Sequence, residues 1–264
     1  MSVQAFERRL ATLEAAKASA GTGDLRQQIL HARTVGPAPT HTRDELQELA
    51  EGDNATGRIA RGWLRIGYVL PRRDRGQQTP AIDPTTALPA MAGYLYDKPL
   101  EFVLFAYDWT RDRSLAVVEL PEQWRMVYDS EHGPDAWACE LLEHLGDSVR
   151  ARGFDGRNAV DAIREAISSG HGIGKSAITA WLVNWIMSTR PNARGVVTAN
   201  TAPQLESKTW AEIGKWTKRS VFCAWFDVTT GKGSMRMTAK GFAESWRCDA
   251  QTCREENSES FAGL

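Results

Sequence analysis

The sequence predicts an α/β protein in which a parallel sheet follows a mainly helical N-terminal region. From residue 162 onward, short apolar segments alternate with a glycine-rich loop and amphipathic helices, the order expected of a parallel α/β sheet. Before residue 70, periodic apolar residues and capping signals predict several short helices. Residues 71–90 hold four prolines in a polar setting, which predicts a linker without regular structure. We therefore predict three regions: 1–70, 71–90 and 91–264.

Helix signals follow one another closely in the first region. Apolar residues recur at three- and four-residue steps over residues 3–13, as in an amphipathic helix. Asp24 can cap a second helix that runs to Arg33, and Thr42 and Glu45 have the spacing of a capping box.

Three arginines then recur at helical spacing: Arg58, Arg61 and Arg65. Three arginines on one helix face could bind phosphate groups. A run of charge on a helix is more often its solvated face, however, so we expect these side chains to be exposed.

The third region has an aromatic-rich start and a glycine loop near its centre. Apolar residues dominate Phe102–Trp109, and a helix is predicted around Trp137 and Leu145. Further on, Ile163–Ile167 is predicted to be a strand, Ser168–Gly174 a loop and Lys175–Ser188 a helix with one apolar stripe. A second strand is predicted at Gly195–Ala199.

The loop resembles a phosphate-binding loop. Such a loop directs backbone N–H groups and the positive end of a helix dipole at anionic oxygens. In this chain the sequence SGHGIGKS ends in Gly174, Lys175 and Ser176, while Ser169 occupies the position where the usual pattern has its first glycine. Lys175 would reach the β- and γ-phosphates of ATP, and the Ser176 hydroxyl would bind Mg²⁺. We predict that the phosphates lie against the loop residues, namely Gly170, His171, Gly172, Ile173, Gly174, Lys175 and Ser176.

Composition excludes several other classes. The 264 residues carry a net charge of −1, so the overall charge gives no indication of nucleic-acid binding. The four cysteines lack the two-residue spacing of zinc or redox motifs, which argues against a zinc site. No apolar run has the length of a signal peptide core or a membrane span, so we expect no membrane association and a cytoplasmic protein.

Several long stretches, in order, resemble the large terminase subunits of tailed phages and prophages, the ATP-driven motors that package DNA. The resemblance runs from about Lys98 to Leu264 through KPLEFVLFAYDW, GPDAWACELLEHLG, SSGHGIGKSAITAWLVNWIMSTRP, RGVVTANTAPQLESKTWAEIGKW, SWRCDA and ENSESFAGL. A small residue in place of the first loop glycine is a feature of that family, which accounts for Ser169. The resemblance implies a RecA-like ATPase fold that uses ATP and Mg²⁺ in the bacterial host cytoplasm. Implied partners are double-stranded phage DNA, the small terminase subunit, the portal protein and further copies of the chain.

The resemblance also implies roles outside the loop. Related proteins have an aromatic residue followed by glutamine that contacts adenine, but here Trp137 is followed by Ala138, so adenine recognition stays open. The segment Thr198–Trp210 matches the part that couples nucleotide state to DNA, although an ordinary capped helix is an equal alternative for any one residue. The candidate coupling residues are Thr198, Asn200, Thr201, Gln204 and Lys208.

In the family, an acidic strand and a nuclease domain follow the FAGL stretch, and neither is found in this sequence. We therefore expect a truncated ATPase part with an incomplete sheet, in which Ile163–Ile167 and Gly195–Ala199 lack partners. Such a chain would bind ATP without measurable turnover and would have exposed strand edges that favour aggregation. Alternatives are a non-catalytic prophage remnant and another phosphate-loop NTPase such as a helicase or kinase.

Overall fold

The structure is a computed structural model that describes residues 24–74, 76–153, 159–168, 170, 172, 174–231 and 234–252. The helix predicted over residues 3–13 lies outside the described residues. So do Ser169, His171 and Ile173 of the loop, and the terminal stretch from residue 253 onward.

Within the described residues, eight α-helices precede the first strand of a four-stranded sheet, and two more lie between its first and second strands. The helices are α1 (Leu25–Val35), α2 (Arg43–Ala50), α3 (Ala55–Arg65), α4 (Pro84–Tyr94), α5 (Pro99–Ala106), α6 (Glu122–Arg125), α7 (Ala136–Arg152), α8 (Lys175–Thr189), α9 (Ala202–Gln204) and α10 (Ala211–Arg219). A π-helical segment, Leu205–Trp210, joins α9 to α10, and a 3₁₀ turn covers Cys223–Trp225. The strands are β1 (Arg194–Ala199), β2 (Phe226–Thr229), β3 (Arg236–Ala239) and β4 (Arg247–Thr252).

The two predicted N-terminal caps are confirmed. Asp24 accepts a hydrogen bond from the Gln27 backbone N–H at 3.1 Å and begins α1. Thr42 and Glu45 form a reciprocal capping box at the start of α2. Both caps satisfy N–H groups that have no partner inside the helix, which is why the local sequence predicts them well.

The prediction that all of residues 71–90 are irregular is wrong. Helix α4 starts at Pro84, and the Asp83 side chain caps it by accepting from the Thr85 backbone N–H at 2.9 Å. Proline fits the first position of a helix because its missing N–H would have no partner there. Leu88 and Met91 of this helix are buried, and α4 packs against α1.

The sheet is mixed, whereas the sequence predicts a parallel one. Its strand order is β1-β4-β3-β2: β1 and β4 are parallel, and the other two pairs are antiparallel. The short connection from β2 to β3 permits only an antiparallel arrangement, because a parallel pair needs a long crossover. The predicted strand Gly195–Ala199 is confirmed as β1, but the prediction that it lacks a partner is wrong. It has a partner in β4 along its whole length and lies at the edge of the sheet.

The predicted strand Ile163–Ile167 is wrong. These residues have no regular structure, and only Ile163 is partly buried. They lie beside α7 and α8, where they line an apolar cavity with Leu141 and Leu182. A strand needs a neighbour for its backbone hydrogen bonds. None of the strands in the described sheet pairs with this segment.

Helix α5 connects the N-terminal helices to the loop helix. All its residues except Glu101 are buried, as expected for a helix that is apolar on every side. It contacts α3, α7 and α8, and α8 packs in turn against α10. This packing fixes the start of α8 relative to α10. Among the described residues, no helix has the length and apolar character needed to cross a membrane.

Candidate functional site

Two glycines of the loop have backbone conformations that other residues rarely adopt. Gly172 has φ of 81° and Gly174 has φ of 86°. Gly174 is the N-cap of α8, so the chain turns there directly into the helix. Gly170 lies outside the positive-φ region, and an added Cβ at any of the three positions would meet no atom within 4 Å. Glycine is therefore required by conformation at positions 172 and 174 only.

Lys175 and Ser176 form the first turn of α8, as the sequence predicts for a phosphate loop. Lys175 is exposed, and its Nζ donates a hydrogen bond to the Gly170 carbonyl across the loop. Ser176 is partly buried. The first N–H groups of a helix lack intrahelical acceptors and carry the positive end of the helix dipole. The start of α8 therefore combines these groups with a flexible cation.

The loop opens onto a cavity of about 310 Å³. Pockets for small ligands commonly range from about 300 to 1,000 Å³. This cavity brings together two predicted site elements, the loop glycines and Trp137, which are more than thirty residues apart in the sequence. Neither Lys175 nor Ser176 is among the described residues that line it. The residues that matter most for its chemistry are Trp137, Gly172, Gly174, Trp181, Lys215 and Arg219.

Aromatic side chains form much of the cavity wall. Trp181 meets Trp216 edge to face at 5.1 Å and Trp109 at 6.0 Å between ring centroids. Trp181 is only 6% exposed, yet its indole Nε1 has no hydrogen-bond partner among the described residues. A buried donor without a partner is uncommon in proteins. Near the rim, Trp137 Nε1 donates to Asp135 Oδ2 at 2.8 Å.

Helix α10 supplies two cations to the same cavity. Lys215 pairs with Glu212 on its own helix at 3.1 Å. Arg219 lies 3.4 Å from Asp112, donates to the Ser114 hydroxyl, and stacks over the Trp216 ring. The sequence interpretation missed both residues. Their signal is the four-residue spacing within GKWTKR, which places them on one face of a helix.

The predicted coupling residues do not line this cavity within the described part of the chain. Thr198 lies near the end of β1 and the other four follow that strand; all five are exposed. Thr201 caps α9 by accepting from the Gln204 backbone N–H at 3.3 Å. The segment then becomes the π-helix that contains Lys208. The π-helix is rare and is frequent at functional sites.

The predicted exposure of the arginine row is wrong for Arg61 and Arg65. Both are buried on α3 and form ion pairs with Asp108, at 2.7 Å and 3.4 Å. Burial lowers the pKa of Arg65 to about 10, with Asp108 opposing the shift. The third arginine, Arg58, donates to the backbone carbonyl of Arg219 at the end of α10. These arginines therefore connect elements of the fold.

Histidine, cysteine and carboxylate side chains of the described residues form no group of three that could hold a metal ion. Burial raises the pKa values of the Cys139 and Cys248 thiols to about 12, so both stay protonated at neutral pH. Neither thiol has the character of a nucleophile.

Comparisons with known proteins do not assign a family. No family model, no curated protein and no solved structure matches the chain.

Proposed function

We propose that this chain binds ATP with Mg²⁺ at the glycine loop before α8, as the nucleotide-binding part of a DNA-packaging motor of the terminase large-subunit type. The observation that carries the proposal is the pair of positive-φ glycines, Gly172 and Gly174, which lead directly into Lys175 and Ser176 and face a cavity shared with Trp137.

The phosphates would lie against the N-terminus of α8. Backbone N–H groups there can donate to phosphate oxygens, and glycine leaves room for close approach. In the structure, Lys175 donates to the Gly170 carbonyl. ATP binding would exchange this neutral acceptor for the charged β- and γ-phosphates, which bind an ammonium group more strongly. The Ser176 hydroxyl, in the same turn, is the residue that would bind Mg²⁺.

Adenine would lie near Trp137 at the rim of the cavity. An aromatic ring at this position supports stacking with a base, and stacking does not need the missing glutamine. Specificity for adenine over other bases is a separate property, and the proposal concerns stacking only.

The motor role rests on the resemblance in sequence. The segment Thr198–Trp210, whose candidate coupling residues are exposed, would couple nucleotide state to double-stranded DNA, and its π-helix supports a functional role. Small-subunit, portal and self-association partners belong to the same proposal. Binding of a double-stranded DNA fragment to the protein, measured with and without ATP, tests the motor role.

Calorimetric titration with ATP and Mg²⁺ tests nucleotide binding. Lys175→Ala should lower the affinity about ten- to a hundredfold, the effect of one lost hydrogen bond to a charged group. Lys240→Ala is the matched control, since Lys240 is an exposed lysine outside the lining of the cavity. Equal ATP affinity in the wild type and Lys175→Ala would refute the assignment.

A further inference from the structure

We infer that Lys215 and Arg219 of α10 form a second phosphate-binding wall of the cavity that the glycine loop also lines. The inference rests on the proposed function and extends it, because it adds cations that the phosphate-loop pattern does not include.

Geometry places these two cations beside the loop. Lys215 and Arg219 are one helical turn apart on α10 and line the same cavity as Gly172 and Gly174. Helix α10 packs along α8, the helix that begins at the loop. A triphosphate that enters this cavity therefore meets both the loop glycines and two cations in its lining.

The current partners of both cations are easily exchanged. The Arg219 side chain is 24% exposed and that of Asp112 is 31% exposed, and their closest polar atoms are 3.4 Å apart. Lys215 and Glu212 are 48% and 31% exposed. Exposed ion pairs contribute little to stability because water screens them. A phosphate group offers Arg219 a bidentate acceptor with more charge.

The backbone that carries Arg219 is held in place. Arg58 of α3 donates to the Arg219 carbonyl, and the Val221 N–H donates to the Ala106 carbonyl of α5 at 2.9 Å. The guanidinium group can thus change partners while its main chain stays fixed. The N-terminal helices contribute to the site in this way, although they do not line the cavity within the described residues.

The experiment compares ATP with inorganic triphosphate, each with Mg²⁺, by calorimetry. Lys215→Gln and Arg219→Gln should each lower the affinity for both ligands about ten- to a hundredfold, because the lost contacts are to phosphate. Lys218→Gln, on the neighbouring residue outside this cavity, is the matched control and should bind like the wild type. Arg219→Lys should recover part of the affinity, which a purely structural defect would not.

Asp112→Asn supplies a variant that keeps both cations. It frees Arg219 from its competing carboxylate, so ATP should bind several-fold tighter. Weaker or unchanged ATP binding by Asp112→Asn would contradict the inference. So would wild-type ATP affinity in both Lys215→Gln and Arg219→Gln, if Lys175→Ala loses ATP binding in the same experiment. In that case ATP binding at the loop stands without the second wall. A wild-type protein that binds neither ligand would overturn both proposals.

Discussion

Arg61 donates from Nε to Asp108 Oδ2 at 2.9 Å, and the two side chains are only 7% and 15% exposed. Arg65 contacts the other carboxylate oxygen and also donates to the Leu104 carbonyl at 2.8 Å. One carboxylate thus pairs with two buried guanidinium groups between α3 and the segment after α5, and backbone carbonyls accept further hydrogen bonds from both. Without that carboxylate both charges would remain buried, so Asp108 is required for the packing of the N-terminal helices on α5.

Asp108→Ala should therefore destabilise the fold strongly. Removing one partner of a buried ion pair typically costs about 3–5 kcal/mol of the free energy of unfolding, since the remaining charge is left unpaired. The matched control is Asp129→Ala, which removes the exposed partner of Arg43 and should cost less than about 1 kcal/mol. Urea unfolding measures both. Similar losses in the two variants would show that the Asp108 cluster is no more important than a surface pair.

The cluster of Arg61, Arg65 and Asp108 should make the stability of the fold depend on pH. Burial alone would raise the pKa of Asp108, but the hydrogen bond from Arg61 and the charges of Arg65 and Arg61 outweigh it and hold that pKa below the ordinary carboxyl value. The stabilisation is thus fully present above the unfolded pKa of about 3.9 and is lost as the pH falls through the lower folded pKa. Urea unfolding between pH 5 and pH 3 should show that the free energy of unfolding falls more steeply with decreasing pH for the wild type than for Asp108→Asn. Parallel curves would contradict this assignment.

Local signals in the sequence correctly predicted several helix starts and one strand. The caps at Asp24 and Thr42, the loop helix from Lys175 and the strand β1 are all confirmed. Each depends on residues within a few positions of one another, such as a capping side chain or an apolar stripe. The candidate loop was found for the same reason, because its glycines, lysine and serine lie within seven neighbouring positions.

The wrong or missed predictions concern residues whose surroundings are formed by distant parts of the chain. Arg61 is buried because Asp108, forty-seven residues later, neutralises it, and helix periodicity does not show this. Ile163–Ile167 has two isoleucines but also Glu165 and Ala166, types depleted in strands, and none of the described strands pairs with it. Lys215 and Arg219 join the loop cavity only through the packing of α10 on α8. Tertiary contacts of this kind override local pattern.

Gly174→Ala should weaken both the loop and its ligand binding. An alanine forced to φ near 86° costs about 1–2 kcal/mol, and its Cβ would occupy space that a phosphate needs. Gly231→Ala is the matched control, since Gly231 lies outside the cavity lining, has no positive φ, and an added Cβ there would meet no described atom within 4 Å. Urea unfolding and ATP titration should show losses for Gly174→Ala only. Equal behaviour of the two variants would mean that the backbone turn at Gly174 is not needed.

Trp137→Ala separates base contacts from phosphate contacts. Trp137 lies in the first turn of α7 and lines the cavity beside the loop glycines. Stacking of a base on an aromatic ring contributes about 1–3 kcal/mol, so Trp137→Ala should lower ATP affinity about five- to a hundredfold. Inorganic triphosphate has no base, and its affinity should stay unchanged.

Trp137→Phe is the control variant, because phenylalanine keeps an aromatic face while it removes the hydrogen bond to Asp135. It should retain most of the ATP affinity, measured by calorimetry beside the wild type and Trp137→Ala. Equal losses for ATP and triphosphate in Trp137→Ala would show that this tryptophan only shapes the cavity. Wild-type ATP affinity in Trp137→Ala would mean that the base lies elsewhere, and the loop would then bind phosphate without a base contact at Trp137.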